Sequence, residues 1–331
     1  MAPMNKDEKN MYPKPVMVVS RCLEFEPVRY NGQIMPCPLV KDLEPYVEYI
    51  KVCPEYEIGL GVPRDPIRIV KQNDELHLIQ PKTKEDITNK MNQFTTNFIQ
   101  QLPEVDGFIF KSDSPTIGLR NIKIYSGVEK APVVQRGHGF FAGQILDAYP
   151  DYPMEEDNRL RNNTIRHHFL VKLFVFAGFR RIRNQHDLER LREFHKKNHF
   201  LYSLYNPNYS EQGKKILVKN DESFEDIADE YVASLKKLFH NHPQADDYLR
   251  VWNEIIDYIQ PKITAEEKNF LDSILLKYQK NKICQTGVTD MLRSFVIRFP
   301  DDFIEKQTIF SPYPEPLLPT LEPKRDKNYW K

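Results

Sequence analysis

Short apolar runs alternate with helical spacings over the first 150 residues. The runs cover residues 15–20, 50–53 and 107–111, and each leads into a polar or proline-containing loop. Between them, over residues 39–50 and 87–102, apolar side chains recur every three or four positions, which indicates amphipathic helices. Strands alternating with helices predict an α/β domain with a mainly parallel sheet over residues 15–150. Residues 67–80 predict a small hairpin, an exception that we expect at a sheet edge.

After Pro153 the pattern becomes helical throughout, and three apolar stripes support this. They are Ile165, Phe169, Leu173 and Phe176, then Ile227, Tyr231, Leu235 and Phe239, then Val288, Met291, Leu292, Phe295, Val296 and Phe299. We expect an all-α C-terminal domain over residues 154–312, joined by an acidic, proline-containing linker near 151–157. Residues 1–14 are expected to form a flexible tail. The proline-rich residues 313–331 are expected to be extended and not packed.

The composition is that of a globular protein without net charge. The 331 residues include 47 basic and 47 acidic side chains, so net charge selects neither nucleic acid nor membrane. No run reaches the roughly 20 apolar residues of a membrane span, and the N-terminus lacks the apolar core of a signal peptide. We expect a cytoplasmic protein without a membrane partner. Residues 159–197, with eleven Lys/Arg and three acids, are either an RNA-backbone surface or the solvated face of two helices.

Two of the four cysteines occupy matching positions after predicted strands. Cys22 follows the first strand and Cys53 ends the second, while the third strand ends at Lys111 and leads to Ser114. In open α/β sheets, ligands bind outside the carboxyl ends of the strands. Thiols at that edge indicate metal or redox chemistry, and soft thiolates favour iron–sulfur, copper(I) or zinc. The spacing is neither C-x-x-C nor a zinc-finger pattern, so zinc is not indicated. The alternative is that both are small buried hydrophobic residues.

Carboxylate and hydroxyl groups accompany these thiols. Glu55 follows Cys53 and Pro54, where partial desolvation would suit it to proton transfer; it could equally be an acid favoured by a helix N-terminus. Glu57 could play the same part. Ser114-Pro115-Thr116 either offers hydroxyls and turn amides to the site or is a plain turn.

The remaining candidates are less specific. Cys37, between two prolines, is either a surface-loop thiol or a ligand reaching the same crevice, whereas Cys284 is expected to be inert. Arg29, Arg64 and Lys111 could bind an anionic substrate or simply be solvated.

Taken in order, five short motifs resemble those of one family. They are Ser20-Arg21-Cys22-Leu23, Pro27-Val28-Arg29-Tyr30-Asn31-Gly32, Cys53-Pro54-Glu55, Gly59-Leu60-Gly61-Val62-Pro63-Arg64 and Lys111-Ser112-Asp113-Ser114-Pro115. This series resembles the thiouracil desulfidase (TudS) family. The helical part resembles the YbgA-type domain, and the joined form resembles RudS-type tRNA 4-thiouridine desulfidases. The resemblance covers about residues 15–312.

The resemblance implies a non-redox desulfuration. In the family, three cysteines hold a 4Fe-4S cluster whose open iron acts as a Lewis acid on the sulfur of a thiolated pyrimidine. Water then replaces the sulfur. Cys22 and Cys53 match two cluster ligands, Glu55 matches the acid of the Cys-Pro-Glu motif, and Ser114 matches the first serine of a Ser-Pro-Ser-Cys-Gly motif.

The chain departs from that motif at one position. It reads Ser114-Pro115-Thr116-Ile117-Gly118, so Ile117 stands where the family has its third cluster cysteine. Either Cys37 substitutes, or two thiolates and a weaker ligand hold the cluster, or no cluster forms. The leading hypothesis is a desulfidase acting on thiolated uracil or on 4-thiouridine in tRNA. The alternatives are a cluster-free RNA- or nucleobase-binding protein without turnover, and a structural or partner-binding protein.

Overall fold

A computed structural model describes residues 12–219, 221–299 and 301–318. Most of the predicted N-terminal tail and of the proline-rich C-terminal tail therefore lies outside the described residues. In chain order the strands are β1 (Val16–Ser20), β2 (Glu48–Val52), β3 (Arg68–Gln72), β4 (Glu75–Gln80), β5 (Glu85–Asp86), β6 (Gly107–Phe110), β7 (Ile122–Tyr125), β8 (Val133–Gly137) and β9 (Met154–Glu156).

The helices follow the strands and then replace them. They are α1 (Pro38–Leu43), α2 (Pro54–Glu57), α3 (Thr88–Gln101), α4 (Phe140–Ala148), α5 (Asn163–Arg183), α6 (Leu188–Lys197), α7 (His199–Tyr205), α8 (Tyr209–Leu217), α9 (Phe224–Leu238), α10 (Ala245–Ile259), α11 (Ala265–Gln279) and α12 (Gln285–Arg298). Short 3₁₀ helices cover Arg159–Arg161, Gln260–Lys262, Thr308–Phe310 and Glu315–Leu317. An α/β region with a parallel sheet followed by a helical region confirms the predicted fold class.

The parallel sheet has the order β2-β1-β6-β9. β1 pairs in parallel with β2 and β6, and β6 pairs in parallel with β9. The central strands are buried on both faces, which explains their continuous apolar runs. On one face, Phe110 packs on Phe141 of α4, with ring centroids 5.9 Å apart, and Phe98 of α3 lies 5.3 Å from Phe141. This packing fixes the strand ends, and thereby the loops that follow them.

A second sheet was not predicted. It has the order β5-β4-β3-β7-β8 and is mostly antiparallel. The predicted hairpin of residues 67–80 is present as β3 and β4, but it belongs to this separate sheet and not to an edge of the parallel one. β7 and β8 are short and partly polar, so their apolar pattern was too weak to mark them in the sequence.

The predicted boundaries shift in the structure. The described residues divide into two compact units, one formed by residues 12–177 with 313–318 and the other by the described residues between 178 and 312. The division falls within α5, not at the acidic segment near 151–157. That segment instead supplies β9, which closes the parallel sheet. Strand β9 was not predicted because it is only three residues long. Its residues were assigned to the helical pattern that was taken to start at residue 154.

The start of the proline-rich tail is packed, contrary to expectation. Tyr313 and Leu317 are buried. The Tyr313 hydroxyl lies 2.8 Å from Nδ1 of His167, and the Leu317 carbonyl accepts a hydrogen bond of 3.2 Å from Arg166. These contacts belong to the first compact unit, so at least residues 313–318 are part of its fold.

The helical unit has its own core and conventional helix caps. α10 buries one face that includes Trp252 and Ile255. Thr264 begins α11 with a capping box, and Asp187 and Ser223 cap α6 and α9, each satisfying an otherwise unpaired amide. In the described residues, no helix has the combined length and apolar character needed to cross a membrane.

Candidate functional site

A cavity of about 350 Å³ lies where the loops after β2, β1 and β6 meet. These three strands are adjacent and parallel, so their carboxyl ends reach the same edge of the sheet. We call this cavity the strand-end pocket. Its lining includes Ser20, Cys22, Val28, Arg29, Tyr30, Met35, Val52, Cys53, Pro54, Glu55, Arg64, Lys111, Ser114 and Ile117.

The pocket gathers most of the side chains singled out in the sequence. Cys22, Cys53, Glu55, Ser114, Arg29, Arg64 and Lys111 all line it. Cys37 is not among the lining residues. It is buried at the start of α1, where its backbone N–H donates to the carboxylate of Glu24. Cys37 therefore stands outside the set of side chains that line the strand-end pocket, and its part as a third ligand stays a prediction.

The loop carrying Ser114 is fixed against the start of α4. The carbonyls of Pro115, Thr116 and Gly118 accept hydrogen bonds from the backbone N–H groups of residues 139–142, over distances of 2.8–3.1 Å. The loop thus satisfies amides that a helix start leaves unpaired. A Cβ on Gly139 would lie 2.4 Å from the Thr116 carbonyl, so only glycine permits this approach. The tertiary contact holds Ser114 and Ile117 in the pocket wall.

Glu55 is the centre of a short hydrogen-bond network. Its Oε1 accepts a bond of 2.6 Å from the Thr116 hydroxyl. The Ser114 hydroxyl lies 3.0 Å from the Thr116 hydroxyl and 3.5 Å from the same carboxylate oxygen. Ser114 also accepts the backbone N–H groups of Thr116 and Ile117, which leaves its proton to point along the hydroxyl chain. This arrangement can pass a proton between the pocket and the carboxylate.

A buried guanidinium holds the other side of Glu55. Arg64 donates to the carbonyls of Val28 and Gly61, over 2.9 and 3.1 Å. Its second terminal nitrogen lies 3.8 Å from Oε2 of Glu55 and 3.8 Å from the sulfur of Cys53. Gly61 has a positive φ of 67°, a backbone conformation that glycine adopts without steric cost. Arg64 is therefore a neutralising and positioning group rather than a solvated cation.

Burial disfavours the thiolate form of both pocket cysteines. Burial, reinforced by the negative charge of Glu55, raises the pKa of Cys22 to about 11 and that of Cys53 to about 12. The Cys53 sulfur lies 3.5 Å from Oε2 of Glu55, as expected for a neutral thiol that donates to a carboxylate. Burial likewise raises the pKa of Cys37 to about 11.

The two remaining basic residues differ in availability. The Lys111 ammonium lies 3.0 Å from the Asp157 carboxylate and 2.8 Å from the Ser112 hydroxyl, so its charge is compensated. Arg29 is half-buried and stacks on Tyr30, 5.0 Å from the ring centre. Among the described residues no ion pair of Arg29 is found. Arg29 is thus the cation of this pocket that a ligand can engage.

The donors present do not match a cluster held by three cysteines. Iron–sulfur ligation needs thiolates, and the pocket offers only Cys22 and Cys53. Ile117 occupies the third position with a side chain that is 3% exposed and packed into the apolar core. Throughout the described ranges, no group of three or more His, Cys, Asp or Glu side chains is placed to hold a metal ion. The hydrocarbon side chain of Ile117 cannot replace a thiolate.

Two further side chains complete this site, of which Thr116 belongs to the Ser114-Pro115-Thr116 segment singled out in the sequence and Asp157 was not a candidate. Thr116 is fully buried and binds Glu55. Asp157 binds Lys111 and accepts the backbone N–H of Ser112 over 2.7 Å. Thr116 stands between Ser114 and Ile117, so its hydroxyl was a usable signal. The sequence around Asp157 gave no sign of a site residue, because the residues before it resembled a linker and not a strand.

Comparison with known proteins agrees with the two-part architecture. Residues 17–157 match the family model described as 2-thiouracil desulfurase, and residues 200–314 match one described as a protein of unknown function, DUF1722. No curated protein matches the chain.

One similar solved structure is titled [4Fe-4S]-dependent thiouracil desulfidase TudS. It is 24% identical, with a TM-score of 0.34, and the match covers 45% of this chain and 94% of that chain. The family matches support the thiouracil desulfurase family for the N-terminal part, and thiouracil desulfuration as the general chemistry of that family.

Proposed function

We propose that the strand-end pocket binds a thiolated pyrimidine ring, as thiouracil or as the 4-thiouridine of tRNA, without a cluster of the three-cysteine type. The match of residues 17–157 to the thiouracil desulfurase family supports the ligand class. The observation that carries the proposal is the composition of the pocket. It combines two buried thiols, one buried carboxylate and an apolar Ile117 in the position where the resemblance places the third cysteine.

The pocket is chemically suited to such a ring. A cavity of about 350 Å³ is at the lower end of the range for small-molecule sites, which fits a single heterocycle. Val28, Met35 and Ile117 supply apolar wall, and the polarisable thiols of Cys22 and Cys53 suit contact with a thiocarbonyl sulfur. The Glu55 carboxylate can accept a ring N–H. If the pyrimidine belongs to RNA, Arg29 offers a positive charge and Tyr30 a stacking surface to the neighbouring nucleotide.

A second candidate function is desulfuration itself, and the Glu55–Thr116–Ser114 network favours it. The reaction breaks the carbon–sulfur bond, forms a carbon–oxygen bond from water and releases hydrogen sulfide. Glu55 would take one proton from the attacking water, and Thr116 and Ser114 would pass it to the leaving sulfur. The second water proton, lost as the new carbonyl forms, would follow to the same sulfur and give hydrogen sulfide. Arg64 would keep the carboxylate oriented throughout.

The binding proposal is tested by calorimetric titration of the purified full chain with 4-thiouracil and with uracil. We expect the thio compound to bind more tightly, and Cys22→Ser/Cys53→Ser to remove the preference. Cys284→Ser is the matched control, because this cysteine is exposed and lies in the helical unit. Equal affinity for 4-thiouracil and uracil would contradict the proposed ligand class. The same titration with tRNA containing 4-thiouridine distinguishes a free base from a nucleotide ligand.

Turnover and cluster content are measured on the same preparations. Sulfide release together with conversion of 4-thiouracil to uracil would establish the second function. The chain is also incubated with iron and sulfide under anaerobic conditions, after which iron, acid-labile sulfide and visible absorption are determined. We expect substoichiometric iron. A stable brown protein with one full cluster per chain would show that two thiolates suffice and would overturn the cluster-free assignment.

A further inference from the structure

The helical unit contains a second cavity, which the thiouracil desulfurase match does not cover. It has a volume of about 390 Å³ and lies between α6, α7 and α8. We call it the helical-unit cavity. Leu217 and Val218, at the end of α8, and Phe303 supply apolar wall. A space of this size with carbon-rich walls suits a small organic molecule.

Basic side chains surround this apolar space. Arg192 and Lys196 of α6 and Lys214 of α8 line the cavity, together with His195 and His199. No Asp or Glu is among its lining residues. Of the lysines, Lys214 pairs with the exposed Glu211, over 2.6 Å. For Lys196 the described part of the chain shows only a cation–π contact, with its ammonium 6.0 Å from the ring centre of Phe303.

The two histidines of the cavity already have hydrogen-bond partners within the protein. His195 Nε2 lies 2.9 Å from the Ser210 carbonyl, so this nitrogen donates, and Nδ1 can then accept from the Tyr231 hydroxyl at 3.1 Å. His195 is therefore in one neutral tautomer. His199 Nδ1 lies 2.5 Å from the Ser210 hydroxyl. Burial and the nearby Lys214 charge lower the pKa of His199, while Glu254 and Glu211 oppose that shift.

Two rings give the cavity a shape preference. The rings of His199 and Phe303 have centroids 5.6 Å apart and an interplanar angle of 58°. Such a pair offers a face and an edge to a flat ligand body. The lysine stems add carbon surface while their ammonium groups remain near water. The ligand this arrangement selects has a flat apolar body and one anionic group at the rim.

We propose that the helical-unit cavity binds a small aromatic anion, such as a phosphate monoester, with its ring packed against His199 and Phe303 and its charge near Lys196 and Lys214. An inorganic anion alone would leave the apolar wall unused. An uncharged aromatic compound would leave the basic rim without a partner. The site is independent of the strand-end pocket, so either can fail without the other.

The test is calorimetric titration of the full chain with phenyl phosphate, with benzyl alcohol as an uncharged analogue and inorganic phosphate as an anion without a ring. We expect phenyl phosphate to bind more tightly than both. Lys196→Glu/Lys214→Glu should weaken it by roughly tenfold or more, because two attractions become repulsions. Lys196 and Lys214 are exposed, as are the control residues Lys197 and Lys215. The substitutions should therefore leave folding unaffected, and circular dichroism verifies this.

Neighbouring lysines provide the matched control. Lys197 and Lys215 adjoin Lys196 and Lys214 on the same helices, but they do not line the cavity. Lys197→Glu/Lys215→Glu changes net charge by the same amount and should keep most of the affinity. If both double variants weaken the affinity for phenyl phosphate equally, the effect comes from the overall surface charge and not from the cavity, and the proposal is overturned. Phenyl phosphate that binds no better than benzyl alcohol would overturn it as well.

Discussion

The Thr116 hydroxyl donates a hydrogen bond of 2.6 Å to Oε1 of Glu55, across 61 positions of sequence. Thr116 is fully buried and Glu55 is 8% exposed. A buried carboxylate needs its acceptor positions filled, because lost hydration is not otherwise replaced. The contact therefore joins the residues after β2 to the loop after β6 and orients the carboxylate of the hydroxyl network.

Thr116→Val should destabilise the protein while retaining its shape. The substitution removes one hydrogen bond to a charged acceptor, for which we expect a loss of about 1.5–3 kcal/mol in the free energy of unfolding. Thr116→Ser keeps the hydroxyl and should recover most of that loss. Urea denaturation of the three proteins measures the difference. If the valine and serine variants are equally stable, the Thr116–Glu55 bond has no energetic role.

Gly139→Ala should destabilise the loop that carries Ser114. The added Cβ would lie 2.4 Å from the Thr116 carbonyl, so the loop or α4 must move, at a cost of roughly 1–3 kcal/mol. Affinity for 4-thiouracil should fall with it. Gly143→Ala, in the same helix, meets nothing closer than 3.9 Å and should leave stability unchanged or increase it. Thermal unfolding and the binding titration report both effects, and equal behaviour of the two variants would refute the close-contact argument.

Ile117→Cys should increase iron uptake after anaerobic reconstitution. The change supplies a soft ligand beside Cys22 and Cys53, in the pocket that all three residues line. Removal of apolar volume should cost roughly 1–3 kcal/mol in the metal-free protein, and bound metal should offset part of it. Ile122→Cys is the control, because Ile122 belongs to the same core without lining the pocket. Equal iron in both variants would show that position 117 is not a ligand position here.

His167 should make the first unit less stable as pH falls. Burial lowers its pKa from 6.5 to about 4, so the unfolded chain binds a proton more readily than the folded chain. The contribution of neutral His167 to the free energy of unfolding is complete above pH 6.5, the pKa of histidine in the unfolded chain. It is lost as pH falls from 6.5 towards 4. His167→Asn should flatten this part of the stability profile, measured by urea unfolding at several pH values. Identical slopes in the wild type and in the His167→Asn variant would contradict the assignment.

The alternation of short apolar runs and helical spacings was sufficient to determine the α/β class and the edge at which the site lies. β1 and β6 are buried on both faces, so their sequences had to be continuously apolar, and parallel strands necessarily end at one edge. The positions of Cys22, Cys53 and Ser114 after those strands then followed. Local sequence predicts such features well because burial acts on every residue of the strand.

The tertiary structure alone decided which groups interact there. Lys111 and Asp157 are 46 positions apart, and Cys37 and Cys22 only 15, yet the first pair binds directly while Cys37 does not reach the pocket. The short strand β9 and the packed Tyr313 escaped prediction because three residues, or one aromatic side chain among prolines, carry no periodic signal. Their positions depend on contacts with distant parts of the chain, and the free energy of those contacts is not encoded in the spacing of neighbouring residues.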